Sequence, residues 1–393
     1  MPDDISWPDA RRHAAEQGLR AQSTVRRPLG AALGGVLSTS LHSLVDLPPF
    51  DTAAMDGWAV RGTGPWRRVG ELRAGDVPSP LLDGQCVEIS TGAVAPPDTA
   101  IVRSEHGHVD GGRLHAAELA PVVGRDIRPR GEEVRAGERI LAAGQVLTPP
   151  AIGLAAAAGH DFVDVLAPSR VAVLVLGDEL TQAGVPAGGQ LRDALAPQLP
   201  GWIEGMAADV VSLEHVADSQ SATEAALAGA DADLVVTTGG TARGPADHIR
   251  SAVSAIGGHW VVDGVAVRPG HPMKLGRLPD DRSLVALPGN PLAAVSGLVT
   301  LAWPLIDAQS GRPRRDVVRR PLAADVDSSP GAHRLVPGQM VDGTVVLTTR
   351  RGPAMLSGIA IADVFAVIPP GHAGAAGAQV QVIALPWGSG LLV

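Results

Sequence analysis

Tyrosine is absent from the sequence, and the other aromatic residues are few: three phenylalanines and seven tryptophans occur among 393 residues. The core must therefore be built mainly from alanine, valine, leucine and isoleucine. The single cysteine, Cys86, excludes an intramolecular disulfide and any zinc or iron–sulfur site that needs several cysteines. The single lysine, Lys274, leaves nearly all the positive charge to arginine, which indicates a coding bias rather than a function.

Long apolar runs, basic tracts and several familiar catalytic signatures are also missing. No apolar run has the length of a membrane span, and the stretch MPDDISWPDARRHAAE lacks a basic-then-apolar signal, so we expect a cytoplasmic protein with no membrane partner. The net charge of −9, without a long basic tract, argues against nucleic acid as a partner. The patterns GxxxxGK[ST], HExxH, CxxC and GxSxG do not occur.

The N-terminal part of the chain changes character twice. Residues 8–45 are rich in alanine and leucine and are predicted to be mainly helical, and prolines 48 and 49 mark a boundary. Residues 50–140 consist of short apolar runs cut by glycine and proline, which predicts a small β domain. A predicted helix over 147–159 could pack back on the first helices. The sequence therefore predicts a helical linker or dimerisation domain from 1–49 and 141–168, with 50–140 inserted.

The second half of the chain alternates between strands and helices. Residues 169–310 predict an α/β domain, a parallel-type sheet flanked by helices on both faces. Ligands of such sheets bind at the carboxyl ends of the strands. Strand patterns return in 313–393 and predict a separate C-terminal β domain. The expected fold class is therefore α/β plus β, in several domains.

The stretch Asp233–Asp247, DLVVTTGGTARGPAD, is the most informative in this domain. Its apolar and β-branched residues 234–238 predict a buried strand, which Gly239 and Gly240 then end. Gly244 and Pro245 start a helix. A glycine turn at a helix N-terminus is a natural anion pocket, because the unpaired N–H groups point at the ligand. An ordinary strand-to-helix connection is the alternative.

Several acidic residues stand beside glycine turns, namely Asp56, Asp178, Glu179 and Asp247. Their carboxylates could hold a hard cation such as Mg²⁺, which prefers oxygen ligands and bridges phosphates. Simpler interpretations exist for two of them. Asp56 precedes a glycine and could only form a turn, and Asp247 near a helix start could only complement the helix dipole.

Two further features suit an anion. The stretch RDIRPRGEEVRAGER contains five arginines among four acidic residues, and guanidinium groups bind phosphates and other oxyanions well. A solvated loop with internal ion pairs is the alternative. Thr91 and Gly92 offer a hydroxyl and a free backbone N–H, although the same pair could form only a hairpin turn.

The order of these motifs resembles one known family. The blocks PPFDTAAMDGWAV, ISTGAVAPPDTAIVRSE, IRPRGEEVRAGERIL, LGDEL, TTGGTARGPAD, RPGHPMKLG and LPGNPLAAVSGL together resemble the MoeA family of molybdopterin molybdenumtransferases, which includes the E domain of gephyrin. The resemblance runs from about residue 10 to the end, and MLSGIAIADVFAVIPP also looks like the family's C-terminal segment.

The resemblance implies a homodimer of four-domain subunits, with 169–310 as the molybdopterin-binding domain. It implies insertion of molybdate into adenylylated molybdopterin with release of AMP, dependence on Mg²⁺, and a molybdopterin adenylyltransferase as a further partner. The catalytic and metal-binding residues that it implies are Asp56, Glu179 and Asp247. The substrate-binding residues that it implies are Thr91, Gly92, Arg130, Glu133, Asp193, Gly239, Gly240, Arg243, Arg268, His271, Lys274, Pro288, Gly289, Asn290 and Pro291.

The chain also departs from the family pattern at positions that would contact substrate. A threonine before GDEL is replaced by Leu176, the DxN asparagine by Leu195, and the serine after LPGNP by Ala293. Loss of such hydrogen-bonding groups typically costs about 1–3 kcal/mol when the partner stays buried. Two functions follow as expectations: an active insertase, or a non-catalytic paralogue that binds molybdopterin or acts as a scaffold.

Overall fold

The computed structural model describes residues 4–20, 22–241, 248–313, 317–371 and 374–387. The chain divides into two compact units. The β unit is Arg26–Val165, and the α/β unit combines Met1–Val25 with Leu166–Val393. The helices are α1 Trp7–Gly18, α2 Pro149–Ala157, α3 Leu199–Gly205, α4 Gln220–Gly229, α5 His248–Ala255, α6 Pro291–Gly297 and α7 Trp303–Gln309.

The strands are short in the N-terminal part of the chain and longer after it. The first thirteen are β1 Ile5–Ser6, β2 Thr24–Pro28, β3 Leu41–His42, β4 Thr52–Ala53, β5 Gly57–Val60, β6 Trp66–Leu72, β7 Gln85–Ile89, β8 Ala100–Arg103, β9 Gly107–Asp110, β10 Arg113–Ala116, β11 Ile127–Arg128, β12 Arg139–Leu141 and β13 Phe162–Leu166. The remainder are β14 Arg170–Leu176, β15 Leu180–Thr181, β16 Leu191–Arg192, β17 Asp209–Val216, β18 Leu234–Thr238, β19 His259–Asp263, β20 Val265–Arg268, β21 Lys274–Arg277, β22 Ser283–Leu287, β23 Val318–Pro321, β24 His333–Val341, β25 Thr344–Leu347, β26 Val364–Ile368 and β27 Gln379–Ala384.

The β unit is built around a six-stranded sheet of order β8-β5-β7-β6-β10-β9. Neighbouring strands are antiparallel except for β6 and β7, which are parallel. Trp66, Ile89, Ile101 and Leu114 are fully buried in its core. A second tryptophan, Trp58, is partly buried and packs against the cluster that contains Trp66.

The prediction that residues 8–45 are mainly helical is wrong beyond α1. This helix ends at Gly18, where an added Cβ would lie 2.4 Å from the carbonyl oxygen of Leu305 on α7. The chain then forms β2, a short 3₁₀ turn and β3. The β-branched pair Thr24 and Val25 favours extended backbone, and Pro28 ends the strand because it has no N–H to donate.

The central sheet of the α/β unit has the order β17-β14-β18-β22-β21-β19. Its first four strands are parallel, and β21 and β19 continue it in antiparallel pairing. One face packs against α1, α3, α6 and α7, and the other against α4 and α5. The predicted sheet with helices on both faces is confirmed, with an antiparallel extension that the sequence analysis did not anticipate.

The helical segment Pro291–Gln309 contains α6 and α7 and is the one helix among the described residues that is both long and strongly apolar. By length and composition alone it could cross a membrane, but 89% of its apolar window is buried inside the protein. Such burial is typical of a core helix. The expectation that no apolar run is long enough to span a membrane is therefore wrong. The segment is this apolar because it packs against the buried, apolar face of the central sheet.

The C-terminal part of the α/β unit contains a second sheet of order β1-β20-β24-β26-β27-β23, with β25 paired to β24. Its core includes Leu322, Val336, Val345 and Val364. The strands of 313–393 therefore share a sheet with β20, which pairs with β24, and with β1, which pairs with β20. The four-domain division drawn from the sequence stays a prediction.

Candidate functional site

Four loops meet at one edge of the central sheet, because β17, β14, β18 and β22 are parallel neighbours and end on the same side. The loop after β14 carries Asp178 and Glu179, and the loop after β17 carries Asp218. The loop after β18 begins with Gly239, and that after β22 with Pro288. Asp218 was not predicted, although it follows the end of a parallel strand, as Glu179 does.

Gly239, in the loop after β18, lies close to the ends of the two neighbouring strands. Its amide donates to the carbonyl of Leu287 at 3.0 Å. Its φ is +86°, and an added Cβ would lie 2.7 Å from the carbonyl oxygen of Leu176. Gly240 also has positive φ, and a Cβ on Gly289 would lie 3.7 Å from the Cα of Gly239. The predicted glycine turn is therefore present, and it brings the backbones of neighbouring loops close together. Two other predicted site residues of this stretch, Arg243 and Asp247, lie outside the described residues.

Glu179 presents its carboxylate at this edge. The side chain is exposed and folds back over Gly177, whose added Cβ would lie 3.0 Å from Oε2. In the described part of the chain Glu179 makes no ion pair or side-chain hydrogen bond. The neighbouring Asp178 accepts a hydrogen bond from the amide of Asp218 at 3.0 Å. Glu179 thus keeps both carboxylate oxygens available for a ligand.

Asp193 is more enclosed than the sequence suggested. It is 5% exposed. Oδ1 accepts from the amides of Leu195 and Ala196 at 2.8 and 3.1 Å, and Oδ2 lies 2.9 Å from Nε2 of His215. A direct contact with substrate would have to compete with these three bonds, and that role stays a prediction.

A cavity of about 590 Å³ lies beside the β22 loop in the α/β unit. Four of its lining residues were predicted from the sequence: Arg268, His271, Pro288 and Asn290. Four polar lining residues were missed: Ser328, Ser329, Arg334 and Arg351.

Positive charge dominates the cavity's side chains. Arg334 donates to the carbonyl of Asp327, and Nε2 of His271 lies 2.7 Å from a carboxylate oxygen of Asp4. The guanidinium groups of Arg268 and Arg351 form no ion pair or hydrogen bond with any residue that the structure describes. Because guanidinium forks match the geometry of tetrahedral and planar oxyanions, the cavity is suited to an anion.

Lys274 lies in a different environment. It is 3% exposed, and its Nζ is 2.6 Å from Oδ1 of Asp263, which Arg250 also binds. Lys274 is not among the residues that line the cavity. Its role as a substrate ligand stays a prediction, since its ammonium is already paired.

In the β unit, Asp56 and Thr91 are brought together as predicted. The amide of Thr91 donates to Oδ1 of Asp56 at 2.6 Å, and this bond, followed by one from the Thr91 hydroxyl, lowers the pKa of Asp56 below 3.8. The expectation of a free N–H at Gly92 is wrong, because its amide donates to the carbonyl of Ala53 at 2.8 Å. Gly92 has a φ of +83° and forms a turn.

The arginine-rich loop of the β unit forms ion pairs, as in the simpler of its two interpretations, although most of them join the loop to residues outside it. Arg130 pairs with Asp46, and its amide donates to Asp51 at 2.7 Å. The amide of Ala136 and then the Arg130 side chain lower the pKa of Asp46. Glu133 is exposed, and its amide is bonded to the carbonyl of Leu47.

No group of three or more histidine, cysteine or acidic side chains suited to a metal occurs within the described ranges. Asp247, one of the three predicted ligands, lies outside them. The donor chemistry of the other two fits Mg²⁺, because Glu179 and Asp56 are both carboxylates and neither forms an ion pair with a described residue.

Models of protein families match most of the chain. The MoeA N-terminal region (domain I and II) matches residues 5–159, the "Probable molybdopterin binding domain" residues 172–308, and the MoeA C-terminal region (domain IV) residues 319–385. Molybdopterin molybdenumtransferase 2 of Mycobacterium tuberculosis is 34% identical over 339 residues, which cover 80% of this chain and 82% of the relative. The chain belongs to the MoeA family.

Two further comparisons agree with this membership. The molybdopterin molybdenumtransferase of Synechococcus elongatus is 30% identical over 386 residues, which cover 92% of this chain and 94% of the relative. A crystal structure of a molybdopterin biosynthesis MoeA protein from Pyrococcus horikoshii matches with a TM-score of 0.78 at 20% identity, over 97% of this chain and 100% of that one. At that identity the structural match supports the MoeA fold alone.

Proposed function

We propose that this MoeA-family chain is a molybdopterin molybdenumtransferase that acts in molybdenum cofactor biosynthesis. It transfers molybdenum from molybdate to adenylylated molybdopterin, and AMP is released. The observation that carries the proposal is the arginine-lined cavity beside the β22 loop, in a chain whose curated relatives bear this activity in their names.

The cavity takes the molybdate. Arg268 and Arg351 are unpaired within the described residues and supply two positive charges to a dianion. Asn290 and Ser328 line the same space and can donate hydrogen bonds to the remaining oxygens. A local cluster of this kind is what an anion requires in a protein of net charge −9.

The phosphates of the second substrate bind at the carboxyl edge of the central sheet. Gly239 and Gly240 leave room for a phosphate to approach the backbone there, because neither carries a side chain that would fill the space beyond the end of β18. Arg243, outside the described residues, adds charge in this proposal. The chemistry then depends mainly on placing the dithiolene of the pterin against molybdate.

Carboxylates assist cleavage of the phosphoanhydride. Asp56, Glu179 and Asp247 are the proposed ligands of Mg²⁺, which when bound supplies positive charge to the phosphate oxygens. The amide and then the hydroxyl of Thr91 lower the pKa of Asp56 and so stabilise its charged form, which is the form that a cation binds. Glu179 contributes a carboxylate that no described protein group neutralises.

The assembly and its cellular setting are further parts of the proposal. The protein acts in the cytoplasm as a homodimer, and it receives substrate from a molybdopterin adenylyltransferase. Sedimentation analysis tests the dimer, and a monomer at micromolar concentration would contradict it.

Reconstitution tests the function. Purified protein, adenylylated molybdopterin, Mg²⁺ and molybdate should yield AMP and a cofactor that activates an apo-molybdoenzyme. Asp56→Asn and Glu179→Gln should slow turnover more than they weaken substrate binding. Glu204→Gln, at an exposed position on α3, is the matched control and should behave as wild type. Tight binding without AMP release would contradict the insertase and leave a non-catalytic molybdopterin-binding or scaffold paralogue.

A further inference from the structure

We propose that His215 is a positioning residue that holds the Glu179 loop through the buried carboxylate of Asp193. This inference rests on the proposed function, because the role of Glu179 is defined there. His215 itself contacts neither the anion cavity nor the carboxylate of Glu179.

Within the loop after β14, two short strands pair with each other in parallel. Leu180 and Thr181 of β15 pair with Leu191 and Arg192 of β16. The amide of Leu191 donates to the carbonyl of Glu179 at 2.9 Å. The returning segment around Leu191 therefore helps to fix Glu179 in position.

Asp193 anchors that returning segment. Its amide donates to the carbonyl of Thr181 at 3.0 Å and extends the ladder by one bond. Oδ1 of the same residue accepts from the amides of Leu195 and Ala196, and so shapes the turn that enters the core. These bonds tie Asp193 to its own segment, but none of them ties the segment to the central sheet.

His215 provides the link to the sheet. It lies on β17, opposite Val175 near the end of β14. Its Nε2 is 2.9 Å from Oδ2 of Asp193, and because a carboxylate accepts, the ring carries its proton on that nitrogen. The carboxylate is 4% exposed, so water cannot readily replace the imidazole. The bond joins the loop to a rigid neighbouring strand.

A second contact holds the same loop from its other end. The amide of Asp218, three residues beyond His215, donates to Oδ1 of Asp178. The Glu179 loop is thus fastened to β17 and its continuation on both sides. Loss of the His215 bond leaves Oδ2 of Asp193 unpaired in a buried place, and the segment that carries Leu191 can then move away from the carbonyl of Glu179.

Replacing His215 with glutamine and, in a separate variant, with asparagine tests the link. Glutamine can bring its Nε2 close to the position of the imidazole Nε2, whereas asparagine is too short to reach Oδ2. Hydrogen exchange of the Leu191 and Asp193 amides should be roughly tenfold or more faster in His215→Asn than in wild type. In His215→Gln both amides should exchange at about the wild-type rate. His259→Ala, on the far edge strand β19 of the same sheet, is the control and should change neither amide.

Turnover gives the second readout. His215→Asn should lower kcat for AMP release roughly tenfold, and leave KM for molybdate within about threefold, because the cavity is lined by other loops. His215→Gln should recover kcat. Equal amide exchange in the asparagine, glutamine and wild-type proteins would overturn the proposal. Exchange needs no turnover, so a wild-type protein that releases no AMP would contradict the proposed function while exchange still decides the role of His215.

Discussion

The Cα of Gly239 lies so close to the end of β14 that an added Cβ would approach the carbonyl oxygen of Leu176 to 2.7 Å. The backbone at Gly239 has a φ of +86°, and its amide donates to Leu287 on the other neighbouring strand. Steric contact and backbone conformation therefore both require glycine here. The residue fixes how closely the loops after three parallel strands can approach one another.

Gly239→Ala should destabilise the protein and distort this edge of the sheet. Positive φ alone costs a non-glycine residue about 1–3 kcal/mol, and the contact with Leu176 adds to it. Urea denaturation measures the loss. Gly201→Ala on α3 is the control, because that position has ordinary φ and no atom within 4 Å of an added Cβ; it should be neutral or stabilising. Equal stability of the two variants would contradict the description of Gly239.

Arg351→Gln should weaken molybdate binding, since this guanidinium lines the cavity and has no partner in the described chain. Loss of a charged hydrogen bond to an anion should reduce affinity roughly tenfold or more. Isothermal titration with molybdate measures it. Arg319→Gln, exposed on the edge strand β23, removes the same charge away from the cavity and should have little effect. If both variants bind alike, the cavity is not the molybdate site.

The carboxyl of Asp56 should titrate below its usual value of 3.8, because the amide and then the hydroxyl of Thr91 stabilise its charged form. The folded state thus binds fewer protons than the unfolded state just below pH 3.8. The resulting stability is present above that pH and is lost as pH falls through the lower folded pKa. Carbon NMR of the carboxyl measures the midpoint, which Thr91→Val should raise. An unchanged midpoint in Thr91→Val would contradict a contribution from the hydroxyl.

Cys86 should resist thiol reagents in the native protein. It is completely buried, and burial raises the pKa of its thiol to about 11. Only the thiolate attacks, so labelling at pH 8 should require opening of the β unit. Because the chain has a single cysteine, the labelling rate with a chromogenic disulfide reports that opening directly. Rapid stoichiometric labelling without denaturant would show that the site is open.

Local patterns were enough to predict the strand 234–238 and its glycine turn. A buried parallel strand needs apolar side chains on both faces, and the close approach at Gly239 demands glycine, so the two signals coincide in sequence. Residues 24–45 were mispredicted because their alanines and leucines also suit helices. The pairing partners that make them extended are far away in the chain.

The missed cavity residues show a different limit. Arg334 lies directly across from Arg268, since β20 and β24 pair in parallel register, but they are 66 positions apart in sequence and no spacing rule relates them. The state of Lys274 could not be predicted either. Nothing local indicates that its ammonium would be buried against Asp263. Residue types were predictable; their partners depend on the assembled sheets.

Molybdate-dependent release of AMP is the most direct measurement of the central claim. Purified wild-type protein is incubated with adenylylated molybdopterin and Mg²⁺, and AMP is quantified by chromatography with and without molybdate. The account predicts catalytic release of AMP that requires molybdate and is strongly reduced in Glu179→Gln. Substrate that stays bound and intact in the presence of molybdate would contradict it.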